Sequence, residues 1–252
     1  MSRTVQRWSR VYVDGYDMSG YARSLSPLVC TFDEADLTAL SDSVKGYLPA
    51  RVNMGIGTIN ANLDNTATSG SHVVLSSAGV PRTVMVAQGM RAEPAQGDPA
   101  YVGVFQQSSY QAAEDGGAMV VSIGFDDYAS TTRLNYERPW GVLLRPKTAT
   151  TAANTAIGLD NGAATTRGGY LMYQVFAGNG TATISVDVST TTNLNASFAA
   201  LSGATTGAID CSTPKSGIIQ LATTASIGQY LRWQIALGTA TTVTFALAFV
   251  RG

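Results

Sequence analysis

The stretch QYLRWQIALGTATTVTFALAFVRG, residues 229–252, sets the fold class. Leu231, Trp233, Ile235 and Leu237 alternate with Tyr230, Arg232, Gln234 and Ala236. After Gly238-Thr239-Ala240 the alternation resumes at Val243, Phe245, Leu247 and Phe249. Period-two patterning on both sides of a short Gly-containing break predicts a β-hairpin with one apolar face. That face is expected to be core of the C-terminal half, not a ligand surface.

The same signal recurs upstream. Residues 9–13 and 21–31 read as strands around the turn dipeptide Asp14-Gly15. Val52, Met54 and Ile56 alternate, and the pattern then slips by one to Ile59, Ala61 and Leu63. A slip beside Gly55 and Gly57 predicts a β-bulge, because otherwise every later side chain would change face. Residues 84–90, 101–112, 119–125 and 140–144 follow as strands, with a hairpin turn at Asp115-Gly116-Gly117. A second hairpin is expected around Gly178-Asn179-Gly180.

Short helices are expected at 36–45 and 71–77. In the first, Leu37, Leu40 and Val44 share a face, and Asp33, Glu34 and Asp36 sit at the positive N-terminal end. Residues 146–168 are rich in Thr, Ala and Asn, with almost no large apolar side chain. They are the natural boundary between a β domain at 1–145 and a C-terminal β part at 169–252. That part either completes the sandwich or forms a small second domain.

The chain has 252 residues, enough for a sizeable core. Only 13% of them are charged, against about a quarter in ordinary soluble domains. A low-charge surface of Thr, Ala, Ser and Gly suits a subunit buried against copies of itself. A Thr/Ser-rich extracellular β domain has the same composition. The net charge of −1 gives no general pull toward nucleic acid or an anionic membrane. Arg3, Arg7 and Arg10 make the N-terminus locally basic, as a docking arm or as a solvated tail. No run of about 18 apolar residues marks a transmembrane helix, and the start of the chain has no apolar leader segment.

Catalytic signals are sparse. The one histidine, His72, has no ligand-spaced Cys or carboxylate beside it and no nucleophile elbow to serve. Asp33, Glu34 and Asp36 resemble a carboxylate pair for acid–base work, but a helix cap explains them more simply. Cys30 and Cys211 are far apart and read as free thiols. No phosphate loop, metal set or cofactor motif is present, so no catalytic, metal or cofactor residues are expected. Architecture or binding remains.

An ordered series of short motifs resembles the major tail tube proteins of long-tailed, non-contractile bacteriophages. It runs through Met18-Ser-Gly-Tyr21, Val44-Lys-Gly-Tyr-Leu-Pro49, Gly57-Thr-Ile-Asn-Ala61 and Leu63-Asp64-Asn65. It continues through Gly168-Gly-Tyr170, Phe198-Ala-Ala-Leu201, Tyr230-Leu-Arg232 and Phe245-Ala-Leu-Ala-Phe-Val-Arg251. Ala50 stands where the family has a glycine after Leu-Pro.

The resemblance implies a mainly β fold, a β-sandwich or barrel of tail-tube type with one or two short flanking helices. It implies a virion protein, assembled in the host cytoplasm. Such subunits stack as rings, usually hexameric, around a lumen that passes DNA without sequence-specific binding. The implied partners are copies of the chain itself, with tape measure and tail-terminator proteins, and no membrane. The expected assembly contacts are Arg3, Arg7, Arg10, Asp36, Leu37, Leu40, Val44, Tyr47 and Leu48, together with the 146–168 loop. A capsid decoration or head–tail adaptor protein has the same building blocks. A glycan-binding tail-tip β-sandwich is a further alternative, with Trp8, Trp140 and Trp233 as its candidate aromatics.

Overall fold

In the computed structural model the described residues are 6–39, 43–90, 92–128, 138–155, 157–189 and 197–252. After a 3-10 turn at Gln6–Trp8 come β1 (Ser9–Val13), β2 (Tyr16–Asp17), β3 (Ala22–Asp36) and β4 (Tyr47–Asn62). The short helix α1 (Ser71–Leu75) precedes β5 (Pro81–Gln88), β6 (Pro99–Asp115), β7 (Ala118–Asp127) and β8 (Trp140–Thr150). The chain continues through β9 (Asn154–Thr155), β10 (Leu159–Asp160), β11 (Gly169–Gly178), β12 (Thr181–Ser189) and β13 (Ala199–Thr205). It ends with β14 (Ile209–Asp210), β15 (Lys215–Gln220), β16 (Tyr230–Leu237) and β17 (Val243–Arg251). The protein is mainly β, as its alternation predicts.

Two antiparallel sheets hold these strands. The larger has 11 strands, with a path β15-β11-β17-β8-β6-β5-β1-β2. It forks at the long β6. One edge of β6 meets β8 at residues 99–101 and β7 at 105–115. Beyond β7 lie β4 and then β3. The smaller sheet has 6 strands, ordered β10-β16-β12-β13 with β9 and β14 attached.

The tight turns follow the sequence. Val13 pairs with Tyr16 around Asp14 and Gly15, at φ 51° and 84°. Asp115 pairs with Ala118 around Gly116 and Gly117, at φ 61° and 84°. Positive φ at both central residues is the hairpin turn whose twist matches its strands. The bulge is present too. Ile56 faces Phe125 and Ile59 faces Ile123, so β4 carries one residue more than β7 between them. Both Ile56 and Ile59 are thereby kept in the core.

Two expected hairpins are corrected. Strands β16 and β17 do not pair. Strand β16 lies in the small sheet beside β12, and β17 lies in the large sheet between β11 and β8. Likewise β11 and β12, on either side of Asn179, belong to different sheets. Each connection is an arch from one sheet to the other. The alternation was right because an arch also points both apolar faces inward. The partner was wrong because period-two patterning fixes a strand's face and not its neighbour. The arches lie side by side and bond each other. The Asn179 amide donates to Thr241 Oγ1 (2.8 Å), and its Oδ1 accepts the N–H groups of Thr241 (2.8 Å) and Thr242 (3.1 Å).

Between the sheets lies a core that includes Leu231, Trp233, Ile235, Val243, Phe245, Leu247 and Phe249. The other face of β17, with Ala246, Ala248 and Val250, is also buried. It packs with Leu143, Tyr170 and Met172 against Tyr12, Met85, Ala100 and Val102. This second layer ties the C-terminal strands to β1, β5 and β6. A third core, with Val11, Met18, Ile59, Leu75, Phe105 and Phe125, fills the curl of the N-terminal strands beneath α1.

The junction is polar as well as apolar. Buried Gln174 on β11 accepts the Gly15 N–H (2.6 Å) and donates to Thr83 O (3.1 Å). A Cβ on Gly15 would lie 2.4 Å from the Lys215 nitrogen, so that contact requires glycine. Strand β8 runs on through Pro146 to Thr150, into the stretch where composition suggests a linker. The proline sits at a register shift against β17, where a missing N–H costs no ladder bond.

Candidate assembly surface

Strands β3 and β4 pair along most of their length, but only Ile56 to Asn62 of β4 also pair with β7. Beyond that, among the described residues, Thr31 to Asp36 and Tyr47 to Asn53 form a ladder only with each other. The result is a two-stranded arm at the edge of the sheet, with Val52 still buried near its root. Such a ribbon is marginal in water without a third strand or a covered face.

Tyr101 pins the arm at its root. This side chain is fully buried on β6. Its hydroxyl accepts the Gly55 N–H (3.0 Å) and lies in hydrogen-bond range of Gly55 O (2.8 Å) and Val29 O. One side chain thus reaches both strands of the arm. Burial raises the Tyr101 pKa, so the hydroxyl stays protonated and able to donate. Gly55 also lets β7 approach, since a Cβ there would lie 2.5 Å from Phe125 O.

The far end carries the assembly residues that the sequence suggests, in a different local structure. No helix occurs over the described part of 36–45. Asp36 is the last residue of β3 and pairs with Tyr47. Leu37 N–H bonds Gly46 O at 2.9 Å, which keeps the strands together past the ladder. The Asp36 carboxylate accepts both the hydroxyl and the N–H of Thr38, and these bonds lower its pKa. Asp33 accepts from the Asn53 amide (2.7 Å). The acidic cluster therefore decorates a strand end and is not a helix cap. Spacing of three and four at Leu37, Leu40 and Val44 resembles a helix face, but the β3–β4 ladder captures both flanks.

Leu37 is 59% exposed, Val44 77%, Tyr47 47% and Leu48 55%. Phe32, which the sequence did not single out, is 47% exposed on the same arm. Its signal is legible in retrospect: an aromatic residue directly before the acidic run. Leu40 and Arg3 lie outside the described residues. Arg7 and Arg10 sit apart from the arm's end. Arg7 stacks over Trp8 at 4.1 Å from the ring centre, and Arg10 pairs with Glu93 and bonds Ser9 O (3.0 Å).

The remaining candidates lie elsewhere in the fold. His72, on α1, has its Nδ1 2.7 Å from the Tyr110 hydroxyl of β6. Trp233 is in the sandwich core, edge-on to Phe245 at 5.6 Å. Trp140 is 44% exposed and edge-on to Tyr101. Cys30 and Cys211 are free thiols. Among the described residues, no three His, Cys, Asp or Glu side chains gather as metal ligands.

No family model matches the sequence. No curated protein matches it either. Among solved structures, the chain is similar to the Dit (gp 19.1) protein of SPP1, described as a paradigm of the hub adsorption apparatus in phages infecting Gram-positive bacteria. The alignment covers 97% of this chain and 99% of that one, at 11% identity and a TM-score of 0.36. A likeness at that level carries neither fold nor function from one chain to the other.

Proposed function

We propose that this chain is a self-assembling structural subunit, and that its assembly is the tail tube of a long-tailed, non-contractile phage. The arm carries the first half of this reading. A ribbon that, among the described residues, pairs only with itself exposes Phe32, Leu37, Val44, Tyr47 and Leu48. Burying each of these side chains fully is worth about 1.5–3 kcal/mol. A protein that builds such an arm and anchors its root with Tyr101 gains most when a neighbour covers it.

Unpaired strand edges support the same reading. Among the described residues, β3 pairs only with β4, β15 only with β11, and β13 only with β12. Exposed edges are liabilities in a free monomer and assets in a polymer. The sparse charge of the chain points the same way. The second half, tube and phage, rests on the motif series from Met18-Ser-Gly-Tyr21 to Phe249-Val-Arg251.

Negative-stain microscopy of the purified chain, with mass measurement, tests it. Hollow tubes or stacked rings are the expected result. Monomers alone, at high concentration and across salt conditions, would overturn it.

A further inference from the structure

A cleft of about 590 Å³ opens where the N-terminal and C-terminal strands meet. That is inside the roughly 300–1,000 Å³ range of small-molecule sites. Its walls include Tyr16, Asp17, Tyr21, Thr68, Lys147 and Phe176. The walls come from β2, the loops flanking it and preceding α1, β8 and β11, so they are distant in sequence. The bonds of Gln174 to Gly15 and Thr83 hold two of these walls, β11 and the turn before β2, against each other.

Its chemistry is specific. Lys147 Nζ lies 2.7 Å from Asp17 Oδ2 and 4.9 Å from the Phe176 ring centre, held by charge and by the ring face. Asp17 Oδ1 accepts the Ser19 N–H (3.0 Å) and so cannot swing away. The ammonium and the carboxylate neutralise each other, leaving no unmatched charge to select an ionic ligand. They still offer donors and acceptors side by side. Tyr16 and Tyr21, which also pack on the N-terminal core, line the cleft together with the hydroxyl-bearing residues Thr68, Ser69 and Thr244. Thr68 is held at φ 72°, a conformation that β-branched residues rarely adopt.

Apolar ring surface beside paired donors and acceptors, with no net charge, matches a molecule with C–H faces and a rim of hydroxyl groups. We propose that this cleft binds an uncharged oligosaccharide. The proposal does not depend on the assembly reading, because none of the arm's exposed residues lines the cleft.

Saturation-transfer NMR and calorimetry of the full chain test it with maltotriose, cellotriose and chitotriose, and with trigalacturonate as an acidic control. The expected result is binding of at least one neutral trisaccharide. Tyr21→Ala and Lys147→Gln each weaken it about tenfold or more, with the thermal midpoint of Lys147→Gln lowered by no more than a few degrees, the loss of a partly exposed ion pair. If Tyr21→Ala does not fold, Tyr21→Phe and Lys147→Gln carry the comparison. Absence of transfer to all three neutral sugars overturns the proposal. So does binding that both variants leave intact, or preference for the acidic control.

Discussion

Asp187 and Arg232 stand directly opposite each other in the β12–β16 ladder, with Oδ2 at 2.8 Å from Nη2 and 2.9 Å from Nε. Both are buried, on the side of the small sheet that faces away from the sandwich core. Gln234 donates to the same carboxylate, and the Arg232 guanidinium lies over the Phe198 ring at 4.6 Å. Removing the carboxylate takes the opposite charge away from a buried guanidinium. Asp187→Ala is expected to cost about 3–5 kcal/mol, whereas an apolar replacement of both partners is expected to be near neutral. Urea unfolding of the two single variants and the double variant measures this directly.

Arg145 occupies a more apolar place. Its guanidinium lies 4.1 Å from the Trp233 ring centre and 4.5 Å from that of Phe245, and burial lowers its pKa to about 10. The lowered pKa means that the folded state binds the proton less tightly than the unfolded state. The resulting penalty is present in full below the folded pKa. It is relieved as pH rises through that value, because the unfolded chain then holds more protons. Arg145→Met removes the penalty and keeps most of the packing. The stability of wild type relative to Arg145→Met is therefore expected to improve from about pH 9 to about pH 11. Chemical denaturation at both ends of that range checks the sign, and a constant difference contradicts it.

The class of fold was legible in the sequence, and its connectivity was not. Leu231, Trp233 and Ile235 were identifiable as one apolar face, with Val243, Phe245 and Phe249 as another, because side-chain period is a local property. That these faces oppose each other from two sheets depends on β12 and β11, more than forty residues upstream. The turns at Asp14-Gly15 and Gly116-Gly117 were legible because positive φ demands particular residues. The arm was half legible. Leu37 and Val44 stood out, but their spacing assigned them to a helix, whereas Tyr47 and Leu48 entered only through the motif Val44-Lys-Gly-Tyr-Leu-Pro49. Tyr101, which holds the arm's root from 46 residues beyond Gly55, left no mark in any local pattern.

Tyr101 gives the next test. Tyr101→Phe keeps the ring and removes the hydroxyl, so the buried Gly55 N–H loses the partner that accepts it. An unsatisfied buried donor costs about 1–3 kcal/mol. The loss is expected at the arm, with faster amide hydrogen exchange at residues 29–36 and 47–55 and little change in β11 or β17. Uniform acceleration across the chain contradicts an anchoring role.

Gly55→Ala tests the same root from the other side. The added Cβ meets the Phe125 carbonyl, which is backbone and cannot rotate away. A forced shift of β7 is expected to cost about 1–3 kcal/mol. Gly116→Ala adds a Cβ that meets nothing within 4 Å, so its cost is confined to strain at φ 61°. Thermal unfolding ranks the two variants, and Gly55→Ala is expected to be the less stable.

The arm itself gives the decisive separation of folding from assembly. Phe32, Tyr47 and Leu48 lie past the last ladder contact with β7, and each is about half exposed. Surface substitutions usually change stability by less than about 0.5 kcal/mol. Leu48→Asp, alone or with Phe32→Ser, is therefore expected to leave the unfolding midpoint of the free subunit unchanged. In an assembled state the same aspartate would be buried without a partner, at a cost of several kcal/mol. Polymerisation should fail, or its critical concentration should rise by orders of magnitude, in sedimentation and microscopy of the two variants. Removing residues 36–45 with a short turn in their place should have the same effect, leaving a folded subunit that stays single. Tubes of normal length from either protein would show that a neighbour does not need this arm.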